Sequence, residues 1–296
     1  MLDPFLGVGP GWNVLSAGLR PEPFLVLLAA FALDALGGGR LRRFAWHPTR
    51  LVEAAVGYLE PRLNRAERGA ANRLGRGLMA VVILALVSAG AGWAVTALGS
   101  LAPFGWLAVL AAVTMLIEQR RPFEEARRRM IHLDGGGVGE PSAAVASLAI
   151  SVAGGVIGVS FWFALLGLPG LAAYRAVAVI AALLDERRTE IGVFGLTPSR
   201  FNEALSYLPA VLAGLVVAGA ALFVPGARPE RGFADMIREA PKHHNLAQGF
   251  VVAAMRGSLG ASRGALELRR ALYLYTVACL LNVALVALLA MASFAI

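Results

Sequence analysis

The chain has 296 residues, of which 58% are hydrophobic and 16% charged, with a net charge of +8, and its mean hydropathy is +0.68. Globular domains average about 45 to 50% apolar and about 25% charged residues, so a water-soluble fold is excluded. The basic balance does not mark a nucleic-acid binder, because the arginines lie in loops flanking apolar runs instead of forming one stripe. One domain spanning 1–296 is expected, all-α, built as a polytopic helical membrane bundle with about five to seven membrane segments, some broken or re-entrant.

Met1 to Leu19 holds Asp3, Pro4 and Pro10 in place of a basic start and an apolar core, so no cleavable signal is expected there. Phe24 to Leu36 is the first apolar run, short for a crossing and interrupted by Asp34. An ionisable group at membrane depth is a functional candidate by default. Residues 38 to 77 follow, rich in arginine, and the positive-inside rule places them in the cytoplasm. Within them Leu51, Val52, Ala55, Val56 and Leu59 recur at helical spacing, which predicts a helix along the membrane or the protein core.

Leu78 to Ile117 is a run of 40 residues without a charge. Crossing the hydrocarbon core takes about 20, so two segments are predicted, Leu78–Leu98 and Phe104–Ile117, turning near Pro103. A charged segment from Glu118 to Glu140 then returns to the cytoplasmic side. Ser142 to Tyr174 is 33 residues without charge, interrupted by Gly154-Gly155 and Leu168-Pro169-Gly170, with Arg175 before a last apolar stretch to Leu184. This reads as one full crossing and a second, shorter segment.

Asp185 to Glu203 is polar, Ala204 to Ala227 apolar around Pro209, Arg228 to Arg270 polar and basic, and Ala271 to Ile296 apolar. Counting every run as a crossing puts the basic 228–270 segment outside, against the charge rule. Either 176–184 or 204–227 is therefore expected to re-enter without crossing, as lipid allows only where such backbone is buried in protein or lines a cavity.

No metal-ligand cluster, nucleophile elbow or phosphate loop is present, and Gly135-Gly136-Gly137 reads as a flexible loop. Cys279, the single cysteine, falls within the last apolar run and reads as a small apolar filler. The histidines are His47, His132, His243 and His244, all in polar stretches. With the nearby arginines they suit an anionic, phosphate-bearing ligand, and Lys242-His243-His244-Asn245 is the densest polar cluster.

The order of landmarks then becomes informative: Leu33-Asp34, Trp46-His47-Pro48, Gln119-Arg120, Ser147-Leu148-Ala149, Phe161-Trp162, Gly167-Leu168-Pro169-Gly170, Tyr174-Arg175-Ala176, Phe194-Gly195, Tyr207-Leu208-Pro209-Ala210 and Lys242-His243. Over nearly its whole length the chain resembles the CbiB/CobD family of adenosylcobinamide-phosphate synthases. The resemblance implies a multi-pass protein of the bacterial inner membrane and ATP-dependent amide formation between a corrinoid carboxylate, adenosylcobyric acid, and an aminopropanol or its phosphate. It also implies ATP and Mg²⁺ as cofactors, Asp34, His47, Asp134 and His243 as catalytic positions, and Arg120, Arg175 and Lys242 as cofactor-binding cations. The expected partners are a corrinoid and the lipid bilayer, with a membrane-protein partner or a homo-oligomer beyond them.

The chain departs from the family pattern at several polar positions. Ile150-Ser151 and Gly154-Gly155 stand where the family carries Glu-Asn and Asp-Gly, and Ala178-Val179-Ile180-Ala181 stands for Asn-Thr-Leu-Asp. Val211 replaces an arginine, and Asn245-Leu246-Ala247 replaces Ser-Pro-Asn. Two readings follow from the resemblance: a divergent synthase, or a non-catalytic paralogue that binds a corrinoid or scaffolds a membrane assembly.

Overall fold

The computed structural model describes residues 23–41, 47–64, 69–117, 119–135, 141–186, 192–260 and 264–295. They form a helical membrane bundle, with no strand among them. In chain order the helices are α1 (Pro23–Leu41), α2 (Pro48–Leu63), α3 (Ala70–Ser100), α4 (Trp106–Leu116), α5 (Arg120–Asp134), α6 (Pro141–Ser151) and α7 (Gly158–Glu186). Then come α8 (Leu196–Ala220), α9 (Pro229–Glu239), α10 (Leu246–Leu259) and α11 (Ala265–Ala295).

Among the described residues, four helical stretches are long and apolar enough to cross a membrane: Ala71–Ser100, Pro141–Asp185, Leu196–Phe223 and Ala265–Ala292. Pro23–Gly37 is a shorter apolar helix. Their outer faces are greasy, with Leu86, Trp93 and Leu98 of α3 and Leu280, Leu288 and Met291 of α11 each more than 60% exposed. Apolar surface on that scale is stable only against hydrocarbon.

The 40-residue uncharged run divides as expected, the chain turning at 101–105 between α3 and α4. The turn is tight enough that a Cβ on Gly105 would collide with the backbone of Gly99. α4 has only 11 residues, about 16 Å of helix, and packs on α1 and α3.

The long uncharged run from Pro141 is helical throughout but is not straight. A π-helical turn, Val152–Ile157, carries Gly154-Gly155, and Gly167 breaks α7 with φ 66° and ψ −157°. The break folds the chain sharply, since the Trp162 ring stacks on that of Tyr174 with centroids 6.1 Å apart. In a straight helix a separation of twelve residues would be about 18 Å. The segment beyond Gly167 packs along α3 and supports a second core of Val56, Val81, Val177, Ile180, Leu184 and Phe194.

α8 runs unbroken for 25 residues through the buried Pro209. One expectation is corrected. The 228–270 stretch is not a polar loop, because α10 lies inside it and is buried from Val251 to Met255 and at Gly257, Ser258 and Leu259. α9 and α10 pack as a pair against α8, and α10 also touches α6. Short apolar residues permit this approach, while the flanking arginines masked the run in the sequence.

Candidate functional site

The polar residues singled out in the sequence fall at separate places. Asp34, 4% exposed, sits where α1 meets the start of α5, and its Oδ2 accepts the backbone N–H of Gln119 at 3.2 Å. Arg120, next in the chain, donates from Nη1 to the Leu36 carbonyl at 2.8 Å and from Nε to Glu124 at 2.6 Å. The Tyr275 hydroxyl of α11 donates to the Gln119 carbonyl at 2.6 Å and lies 3.4 Å from the Ser151 hydroxyl. Phe123 packs on the Tyr275 ring with centroids 6.1 Å apart. Asp34 and Arg120 thus lock one junction of α1, α5, α6 and α11. Tyr275 was missed in the sequence because it lies inside an apolar run and nothing local marks it.

His47 is 2% exposed and serves as N-cap of α2, its Nδ1 accepting the Thr49 N–H at 3.3 Å. Pro48 at the first helical position suits this start, its fixed φ being preset for a helix and its missing N–H needing no partner. Pro48, Thr49 and Arg175 line one cleft of about 270 Å³ between α2, α3, α4 and the second half of α7. Arg175 is 7% exposed and has a polar contact of its own within the protein. It is the only charged side chain among the described residues lining the cleft, which is otherwise walled by residues such as Leu84, Val87, Ala91, Leu116 and Val179. His47 is not among the residues that line the cleft, whereas Leu116, three residues before Gln119, is.

Asp134 stands apart at the end of α5, 3.2 Å from Nη2 of Arg269 in an exposed pair. Lys242 pairs with Glu239 at 2.7 Å, also exposed. The His243 N–H donates to the Ala240 carbonyl at 3.1 Å, and Asn245 caps α10, its Oδ1 accepting the Gln248 N–H at 3.0 Å. Glu203 of α8 closes this turn: Oε1 accepts the Leu246 N–H at 2.7 Å and Oε2 accepts from Arg200 at 2.8 Å. Neither Glu203 nor Arg200 stood out in the sequence, since both lie at the edge of a polar stretch with no motif around them.

Magnesium bound with a nucleotide asks for one or two carboxylates beside the phosphates, with cations close by. Asp34 is buried on a backbone amide and Asp134 is held by Arg269, while Arg120, Arg175 and Lys242 occupy different elements. Among the described residues no three His, Cys, Asp or Glu side chains gather. These residues do not fit a single magnesium–nucleotide centre.

A helical membrane bundle with these landmarks defines the class of protein, and comparison with known proteins gives the family. The CobD/Cbib protein model matches residues 27–268, and the chain belongs to that family. A Cobalamin biosynthesis protein CobD from Sinorhizobium sp is 28% identical over 262 residues, covering 79% of this chain and 80% of that protein. The CobD of Brucella anthropi is 29% identical over 273 residues, with 80% of each chain covered. The Probable cobalamin biosynthesis protein CobD of Methanothermobacter thermautotrophicus is 34% identical over 121 residues, 40% of this chain and 39% of that one. No solved structure matches.

Proposed function

We propose that the chain serves cobalamin biosynthesis in the bacterial inner membrane as a CobD-type protein that binds a corrinoid without itself forming the amide bond. The observation that carries this reading is the dispersal of Asp34, Asp134, Arg120, Arg175 and Lys242 over separate elements, Asp34 being buried on the Gln119 amide and Asp134 paired with Arg269 at the surface. Activating a carboxylate with ATP needs phosphate-binding cations and metal-binding acids at one point. The departures from the family pattern at Ile150-Ser151, Gly154-Gly155 and Ala178 to Ala181 support the same reading.

The second reading is a divergent synthase, favoured by the burial of Arg175 at a cleft. One assay separates them. Membranes containing the chain are given adenosylcobyric acid, ATP, Mg²⁺ and an aminopropanol donor, and amide formation is followed alongside corrinoid retention. Retention without turnover is expected, and ATP-dependent amide formation by the purified chain would establish the synthase instead.

A further inference from the structure

The contacts among α8, α9 and α10 fix their relative directions. The Leu246 N–H at the start of α10 donates to Glu203 near the start of α8 at 2.7 Å, and one turn on in both helices Phe250 packs on Tyr207 with ring centroids 5.6 Å apart. α10 therefore runs parallel to α8. α9 runs the other way, since a Cβ on Gly232 would meet Ser258 and Ala218, one on Gly214 would meet Met236, and one on Gly249 would meet Ala240. It lies upright beside the apolar part of α8, in a stretch long and apolar enough to cross the membrane, and not flat along a bilayer surface.

α9 buries Gly232 and Met236 and leaves its opposite side uncovered. Glu230, Ala234 and Arg238 follow one another at helical spacing on that side, and all three are exposed. Ile237, 76% exposed, and Phe233, 39% exposed, flank them. Among the described residues neither Glu230 nor Arg238 has an ion-pair partner within the chain, whereas Lys242, just beyond the helix, is paired with Glu239. Hydrocarbon does not cover such a surface, because charged side chains at membrane depth turn to protein or water and pair with one another. Water does not suit it either, since it would wet Ile237 and Phe233 together. Arginine beside aromatic and aliphatic surface fits a protein partner.

We infer that this partner is a second copy of the chain, the two α9 helices crossing antiparallel on a two-fold axis at Ala234. A two-fold contact sets one patch against itself, and the pattern here is complementary to itself: with Ala234 on the axis, Glu230 of each copy faces Arg238 of the other. Two equivalent ion pairs form, and the small Ala234 lets the backbones approach where they cross. The inference stands beside the corrinoid reading and does not rest on it.

The test uses the full chain, in membranes and then in neutral detergent. Ala234→Cys is oxidised with copper phenanthroline in the membrane, and a disulfide-linked dimer is expected because the residue meets its own copy on the axis. Arg128→Cys, at an exposed position of α5, should give none, and Cys279 is buried and does not compete. Sedimentation in detergent then measures the dimer. Arg238→Glu and Glu230→Arg each set like charges face to face and should weaken it by about tenfold or more, while the two together exchange the charges and should restore it to within about threefold. Both positions are exposed, so circular dichroism is expected to show each variant folded. A monomeric chain, a dimer unaffected by Arg238→Glu, or a double variant as weak as the singles would overturn the proposal. So would labelling of Ala234→Cys by a membrane-impermeant maleimide without any cross-link, which marks a water-lined face, or neither labelling nor cross-link, which marks a lipid-covered one. Cross-linking to a different protein alone would give the face to that protein and overturn the proposal as well.

Discussion

Asp34 and Gln119 are 85 positions apart in the chain and 3.2 Å apart in space, the carboxylate of α1 accepting the amide N–H that precedes α5. A buried carboxylate is expensive at membrane depth unless hydrogen-bonded. Here it accepts the backbone N–H of Gln119, the residue before α5, while Tyr275 donates to the carbonyl of the same residue. The backbone N–H and C=O of one residue are thus satisfied by side chains from two distant helices.

Asp34→Ala should lower stability by about 1.5 to 3 kcal/mol, the usual range for a hydrogen bond to a charged group. Asp34→Asn retains an acceptor and should lose less than half of that. Thermal unfolding in detergent, together with abundance in the membrane, measures both. Full stability of Asp34→Ala would remove the structural role assigned to this residue.

Tyr275→Phe removes the hydroxyl that donates to the Gln119 carbonyl and leaves that acceptor without this donor. A loss of about 1 to 3 kcal/mol is expected, measurable as a lowered midpoint in the same unfolding assay. Because Tyr275 and Asp34 act on the backbone of one residue, the double variant should fall short of the sum of the single effects.

Gly167 adopts φ 66° and ψ −157°, a region essentially restricted to glycine. Gly167→Ala should destabilise the bundle by about 1 to 3 kcal/mol and loosen the packing of Trp162 on Tyr174. Tryptophan emission provides the second readout: a Gly167→Ala chain that keeps both its midpoint and its emission spectrum would contradict this account of the break.

Asn282 of α11 donates to the Ser160 hydroxyl at 2.9 Å between buried side chains. Polar pairs of this kind within membrane bundles couple by about 0.6 kcal/mol on average, up to about 1.7. A double-mutant cycle with Asn282→Ala and Ser160→Ala should return a value in that range. Additive single effects would mean that the contact holds nothing together.

Asp134 and Lys242 should behave differently from Asp34. Their partners, Arg269 and Glu239, are exposed, and exposed ion pairs contribute about 0.2 to 1 kcal/mol. Asp134→Asn and Lys242→Gln are each expected to shift stability by less than 1 kcal/mol and to leave corrinoid retention within twofold. A large loss of retention at unchanged stability would assign the altered residue a direct part in binding.

The apolar runs were legible because hydropathy is written along the chain, residue after residue, and a helix in lipid needs nothing but a long enough run. The turn at 101–105 and the break at Gly167 were legible too, through proline and glycine. α10 was not, because 14 residues between arginines read as part of a polar stretch, and only packing against α8 and α9 shows them buried. His47 read as a loop residue, yet its ring caps α2 at 2% exposure.

What the sequence determined by itself is residence in a membrane, an all-helical bundle and membership of the CobD family, since each is carried by composition or by the order of short motifs. Tertiary structure alone decided what the polar residues do. Whether Asp34 is free or engaged depends on Gln119, 85 residues away, and Tyr275 reaches the same residue across 156. Hydrogen-bond partners are set by which helix faces meet, and neither hydropathy nor spacing along one helix records that.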